Sequence, residues 1–218
     1  MKKFTNIDAI VLDMDYTLYD EYEYFYKVFE EFCHAYHFED KLEQLKKDYF
    51  TLRPVSKNIF KEILDQNGIH SSRYSNDLFD IYTHINCMLS PYKDALHFIE
   101  NIKNNTSIKL GLLTNGNVEA QANKVKSLNI APYFDHIVYA RSLGADLEKP
   151  NVVSFEYIKK QLAATGNRIV FIGDNPKMDF SGAKAVNGIT YRLVRGLYKD
   201  IPSGSDVDME FDDFSNLE

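Results

Sequence analysis

Residues 7–17 read IDAIVLDMDYT, a short aliphatic and β-branched run that ends on two aspartates and a threonine. An apolar run of four to eight residues without polar alternation is the pattern of a strand buried on both faces, as in a parallel sheet. The strand proper is IDAIVL at 7–12. Three further runs have the same form, IKLGLLT at 108–114, HIVYA at 136–140 and RIVFIGD at 168–174, and ITYRLV at 189–194 is a weaker fifth. Helical periodicity separates them. Ala95, Leu96, Ile99 and Ile102 share a stripe within 92–104, and Val118, Ala122, Val125 and Leu128 share one within 118–128. Val152, Phe155, Ile158 and Leu162 do the same within 151–163, as do Ala183 and Val186 within 177–186. This alternation predicts an α/β fold, a doubly wound, Rossmann-like parallel sheet with right-handed crossovers.

About 95 residues without a strand signal separate the first run from the second, far more than an ordinary connection between strand and helix. Helices are expected within them at 22–38, 40–50, 56–67 and 74–89. The domain reading is therefore an α/β core of 1–16 and 90–218 with an α-helical domain, 17–89, inserted after the first strand. Aromatic residues crowd 19–50, where core packing explains most of them. The acidic tail from Gly204 to Glu218 is expected to be loosely ordered.

Composition narrows the function classes. At 218 residues the chain is long enough to bury a proper core. Lys and Arg number 25 against 32 Asp and Glu, a net charge of −7 with no basic run, which argues against a nucleic-acid partner. No stretch approaches 18 apolar residues, so no membrane span is expected. The opening MKKFTNIDAIVLDMD has too short and too broken an apolar run for a signal peptide. Cys33 and Cys87 are far apart and fit neither a redox pair nor a zinc site, so a reducing cytoplasm is the default location.

The chemistry-bearing residues stand at the ends of the strands, where ligands of open α/β sheets bind. Asp13 and Asp15 close the first strand, Thr114 and Asn115 the second, and Asp174 the fourth, while Lys149 follows the third just before Pro150 starts a helix. These four places can form one pocket. In extended chain Asp13 and Asp15 point to the same side, about 6.6 Å apart. Two such carboxylates either cap backbone amides in a turn or share a hard cation such as Mg²⁺ that removes their repulsion. Asp174 would supply a third carboxylate. Asp179 reads equally as a group that steadies a helix N-terminus after Pro176. The Thr114 hydroxyl and the amides of the helix that follows Gly116 suit a phosphate. Lys149 by itself would be an ordinary solvated lysine.

FTNIDAIVLDMDYTLYD (4–20), LLTNG (112–116), EKPNVVSFEYI (148–158) and VFIGDNPKMDFSGAKAVNGI (170–189), in that order, resemble the four motifs of the haloacid dehalogenase superfamily. The helical insert after the first motif resembles the α-helical cap of its phosphatase branch. The resemblance implies a Mg²⁺-dependent phosphomonoester hydrolase of a small phosphorylated metabolite, such as a sugar phosphate or nucleoside monophosphate. It implies Asp13 as the nucleophile that becomes an aspartyl phosphate and Asp15 as the acid, then base, with its main-chain carbonyl on the metal. Thr114, with Asn115 beside it, and Lys149 would hold the phosphoryl group. Asp174 would join Asp13 and Asp15 at the metal, and Asp179 would support. Tyr16 stands where many members carry glycine or a small residue. Rival readings on the same fold are a haloacid dehalogenase, a phosphomutase and a non-catalytic binding module.

Substrate selection is expected from 16–89. Tyr16 and Tyr19 are expected at the pocket mouth, and Arg53 either contacts a second polar group of the substrate or is a surface arginine at a helix end. His34 and His37 lack a third metal ligand at matching spacing and read as a helix face. The sequence does not fix the oligomeric state.

Overall fold

The structure, a computed structural model, describes residues 4–56, 58–165 and 168–217. The chain starts with β1 (Ala9–Leu12) and continues into four helices, α1 (Glu21–Tyr36), α2 (Leu42–Leu52), α3 (Ile59–Gln66) and α4 (Ser72–His84). Next come α5 (Lys93–Asn105), β2 (Lys109–Thr114), α6 (Val118–Leu128), β3 (His136–Tyr139) and α7 (Val152–Gln161). β4 (Ile169–Gly173), α8 (Ser181–Ala185), β5 (Ile189–Leu193) and β6 (Met209–Phe211) complete it. No helix among the described residues is long and apolar enough to cross a membrane.

The chain divides into two compact units, Met1–Asp20 with Ser90–Glu218, and Glu21–Leu89. The sequence boundary after residue 16 falls four residues early, since Tyr16 to Tyr19 fold back on the end of β1. Leu18 N–H donates to Met14 O at 2.9 Å, and Asp15 and Tyr19 form an isolated bridge.

In the first unit all six strands are parallel, in the order β3-β2-β1-β4-β5-β6. β1 and β4 are buried along their whole length, as their unbroken apolar runs require. On one face Val11, Leu113, Val138 and Phe171 pack with Phe155 and Ile158 of α7 and Ala183 of α8. The chain runs from β1 outward through β2 to β3, then crosses back so that β4 lies on the other side of β1. That reversal opens a crevice at the carboxyl ends of β1 and β4, where such sheets bind ligands.

Two expectations change. The tail is ordered: β6 pairs with β5, Phe211, Phe214 and Leu217 are buried, and Phe214 N–H donates to Asp94 Oδ2 at 3.0 Å. Three apolar side chains outweigh the surrounding acids. The helix expected at 177–186 shortens to five residues, because the chain from Asn175 to Asp179 is a loop around a buried carboxylate.

Among its described residues the second unit holds helices and no strand. α1 turns Tyr24, Phe25, Val28, Phe29 and Phe32 inward, and Phe25 lies 4.4 Å from the Tyr49 ring of α2. α3 and α4 start on side-chain caps from Asn58 and Ser71.

Candidate active site

The ladder between β1 and β4 extends one residue past the strands, with Asp13 N–H donating to Ile172 O at 2.8 Å. It fixes the backbone of the first aspartate beside the end of β4, where Asp174 follows. Gly173 is needed there because a Cβ would run into the Asp179 carboxylate. The loop can therefore fold back and bring Asp179 inward. Asn175 N–H holds Asp179 Oδ2 at 2.9 Å.

Lys149 ties these acids together. Its Nζ donates to Asp13 Oδ1 at 2.5 Å and to Asp179 Oδ1 at 2.7 Å, and its side chain is only 4% exposed. The Asn115 side chain clamps the lysine's main chain in both directions. Its Nδ2 donates to Lys149 O at 2.8 Å, and Lys149 N–H donates to its Oδ1 at 2.9 Å. The Asn115 side chain thus positions the lysine. Pro150 does not open α7; Asn151 caps it, its side chain accepting from Val153 N–H at 3.0 Å. Thr17 Oγ1 donates to Asp13 Oδ2 at 3.2 Å, so both oxygens of that carboxylate are oriented.

Asp13, Asp174 and Asp179 present oxygens that all lie within 4.8 Å of one another. One ammonium faces three carboxylates. Burial, resisted by Lys149 and reinforced by Asp179 and Asp15, pushes Asp13 up to about 7. Burial together with Asp13 and Asp179 also holds Asp174 well above the usual carboxylate range. Burial disfavours the charged form of Lys149, but Asp13 and Asp179 overcome it and raise the lysine above its ordinary value. Among the described residues Asp174 Oδ2 is the buried side-chain oxygen without a hydrogen-bond partner. An excess of buried negative charge, oxygen donors only and one orphaned oxygen fit a hard divalent cation such as Mg²⁺.

Asp15, expected at the metal through its main-chain carbonyl, has its carboxylate held by other partners. Tyr19 Oη donates to Oδ1 at 2.8 Å, Lys124 Nζ to Oδ1 at 2.9 Å and Gln121 Nε2 to Oδ2 at 2.8 Å. That leaves its main-chain carbonyl for a metal, while Asp179, expected only to support, stands inside the acid cluster. The tyrosines are also displaced from the pocket mouth. Tyr16 is 4% exposed and Tyr19 fully buried. Tyr16 adopts the left-handed conformation at φ 58°, and this turn carries Tyr19 back onto Asp15. Thr114 is buried at the end of β2 and its hydroxyl accepts from Gln121 Nε2 at 2.6 Å. Gln121 and Lys124 were missed in the sequence.

Arg53 belongs to the helical unit and pairs with the buried Glu21. Its Nη2 lies 3.0 Å from Oε2 and 3.2 Å from Oε1, and Tyr49 Oη donates to Oε2 at 3.2 Å. This pairing gives Arg53 a structural role within the helical unit. Arg53→Ala should cost about 1–3 kcal/mol by leaving Glu21 under-satisfied. A lower midpoint in urea, at unchanged slope, would show it; an unchanged midpoint would mean that the pair contributes nothing.

The profile of the haloacid dehalogenase-like hydrolases matches residues 10–192. The chain belongs to this family. Among its relatives is a glyceraldehyde 3-phosphate phosphatase of Methanocaldococcus jannaschii, 27% identical over 96% of this chain and 91% of that protein. A protein of the same description from Methanopyrus kandleri is 30% identical over 56% of this chain and 51% of its own length. The fold is also that of the HAD-hydrolase YfnB from Bacillus subtilis, whose structure was solved bound to magnesium. Its TM-score is 0.72 at 16% identity, with 97% of this chain and 96% of that chain covered.

Proposed function

We propose that this chain is a Mg²⁺-dependent phosphatase of a small phosphorylated metabolite, a sugar phosphate or nucleoside monophosphate, working through an aspartyl phosphate on Asp13. The observation that carries the reading is the Lys149 ammonium held between Asp13 and Asp179 beside the orphaned Asp174 oxygen. A carboxylate attacking a phosphate dianion meets like-charge repulsion, and this is a site built to offset it. The phosphatase relatives support the same class, and their printed substrate, glyceraldehyde 3-phosphate, adds a three-carbon ester to the candidates to be tested.

In the first displacement an Asp13 oxygen, aimed by Thr17 and Lys149, forms a bond to phosphorus as the ester P–O bond breaks. The departing oxygen takes the proton of the Asp15 carboxyl group. In the second, Asp15 accepts a proton from water as the water oxygen attacks the same phosphorus, which frees inorganic phosphate and the Asp13 carboxylate. Lys149 and Thr114 hold the phosphoryl oxygens throughout. Asp13 and Asp174, with Asp179 beside them, would hold Mg²⁺, which supplies electrostatic stabilisation of the phosphoryl charge.

The test measures inorganic phosphate released by the purified protein from glyceraldehyde 3-phosphate, phosphoserine, hexose phosphates, nucleoside monophosphates and p-nitrophenyl phosphate, with Mg²⁺ or with chelator. Turnover that needs Mg²⁺ is expected. Halide release from a 2-haloacid, or isomerised sugar phosphate without free phosphate, would move the chain to a dehalogenase or a phosphomutase; full turnover in chelator would remove the metal. Asp15 favours the phosphatase over the dehalogenase, since displacing a halide requires no acid.

A further inference from the structure

α6 follows the Thr114 strand end, and its buried stripe is Ala120, Gln121, Lys124, Val125 and Leu128. Two of those core positions are polar. Gln121 is 1% exposed and Lys124 is fully buried. An ammonium is costly to bury without an anionic partner, and the Asp15 carboxylate is one. Gln121 Nε2 divides its two hydrogens between Asp15 Oδ2 at 2.8 Å and Thr114 Oγ1 at 2.6 Å. With Tyr19 Oη on Oδ1, both oxygens of Asp15 are gripped, and the grip is shared with Thr114.

We propose that Gln121 and Lys124 are positioning residues for the leaving-group step: through one helix they fix the Asp15 carboxyl group and hold it in register with Thr114. The inference rests on the phosphatase reading above and names two side chains that serve it. Asp15 stands two residues beyond the nucleophile on a turn, so its own backbone does not determine where the carboxyl group points. A proton donor must sit within hydrogen-bond reach of the departing oxygen, and an error of about 1 Å can cost about 10²-fold. Gln121 meets this need by binding Asp15 and the Thr114 hydroxyl with the same nitrogen. The oxygen that receives the proton and the phosphoryl oxygens then refer to one rigid element. Lys124 resists rotation of Asp15 away from that element.

The effect of losing the pair depends on the leaving group. An alkyl ester departs as a strongly basic alkoxide and needs the proton; p-nitrophenolate departs with little help. In Lys124→Met and Gln121→Met, near-isosteric changes that remove the donors, kcat for an alkyl phosphate should fall about 10²-fold or more. For p-nitrophenyl phosphate kcat should fall less than about 10-fold, with KM for both esters and capture of beryllium fluoride at Asp13 unchanged. A series of aryl and alkyl esters would show a steeper dependence of kcat on leaving-group basicity than in the wild type. Equal loss across the series means that the residues only support the fold, and the inference falls. If neither variant folds, the pair is structural and the inference also falls. A wild type inert on every ester, or an Asp13→Asn protein as active as the wild type, overturns the phosphatase reading instead.

Discussion

Asp13→Asn should lower kcat on any phosphate ester by at least about 10⁴-fold while leaving the protein folded. An amide oxygen is a far weaker nucleophile than a carboxylate, and among the described residues no other oxygen shares Asp13's aim from Thr17 and Lys149. The fold has no need of the charge. Burial already pushes Asp13 up to about 7, so a neutral side chain of the same shape removes a desolvation cost, and Lys149 keeps Asp179. Activity and thermal stability should therefore separate. Lys149→Met should also inactivate, but with a loss of stability, because Asp13 and Asp179 would then face each other unneutralised. Steady-state kinetics beside a melting curve for each variant decides the matter. Asp13→Asn turnover within about tenfold of the wild type, or a phosphoryl adduct mapped to another residue, would take the nucleophile away from Asp13.

The strand ends were readable because each joins an unbroken apolar run to a group that a buried strand cannot continue: Asp13 after β1, Thr114 at β2, Asp174 after β4. Lys149 was readable only from the motif it completes, since no strand pattern reaches it. The partners of Asp15 were hidden for a definite reason. The apolar stripe of α6 was phased on Val118 and Ala122, yet the face turned inward carries Gln121 and Lys124. A lysine on a helix is ordinarily solvated, and only the opposing carboxylate, over a hundred positions away in sequence, reverses that expectation. Tyr19 was misplaced because the left-handed backbone at Tyr16 turns the chain by an amount that no strand or helix period encodes. Asn115 sat beside the right residue but served it through the lysine's main chain, a contact set by the loop beyond β3. The three-residue β6, flanked by acids, is too short for its alternation to stand out.

Asp174→Asn should stabilise the metal-free protein at alkaline pH while abolishing both its activity and its response to Mg²⁺. Burial and the neighbouring carboxylates raise Asp174, and raise Asp13 to about 7 against 3.8 for a free side chain. Folded protein therefore keeps protons that the unfolded chain releases once pH exceeds about 4. With folded values raised, both groups favour folding least at high pH: the contribution of Asp13 declines as pH climbs from about 4 through about 7, and that of Asp174 declines from about 4 upward. Once these groups ionise, the folded state carries buried negative charge beside the partnerless Asp174 oxygen. An unsatisfied buried polar atom costs about 1–3 kcal/mol, which for a chain of this size corresponds to several degrees in Tm. In the wild type a divalent cation offsets that cost, so Mg²⁺ should raise Tm more at pH 8 than at pH 6, where protons compete with it. In Asp174→Asn the chelator-treated protein should gain in midpoint over the wild type as pH rises, and Mg²⁺ should not shift its midpoint. Melting curves across pH 5–8.5, with chelator and with Mg²⁺, test this without recourse to any substrate. An unaltered Mg²⁺ shift in the variant would remove Asp174 from the cation site. A variant less stable than the wild type in chelator at pH 8 would mean that the orphaned oxygen stabilises the fold in some other way.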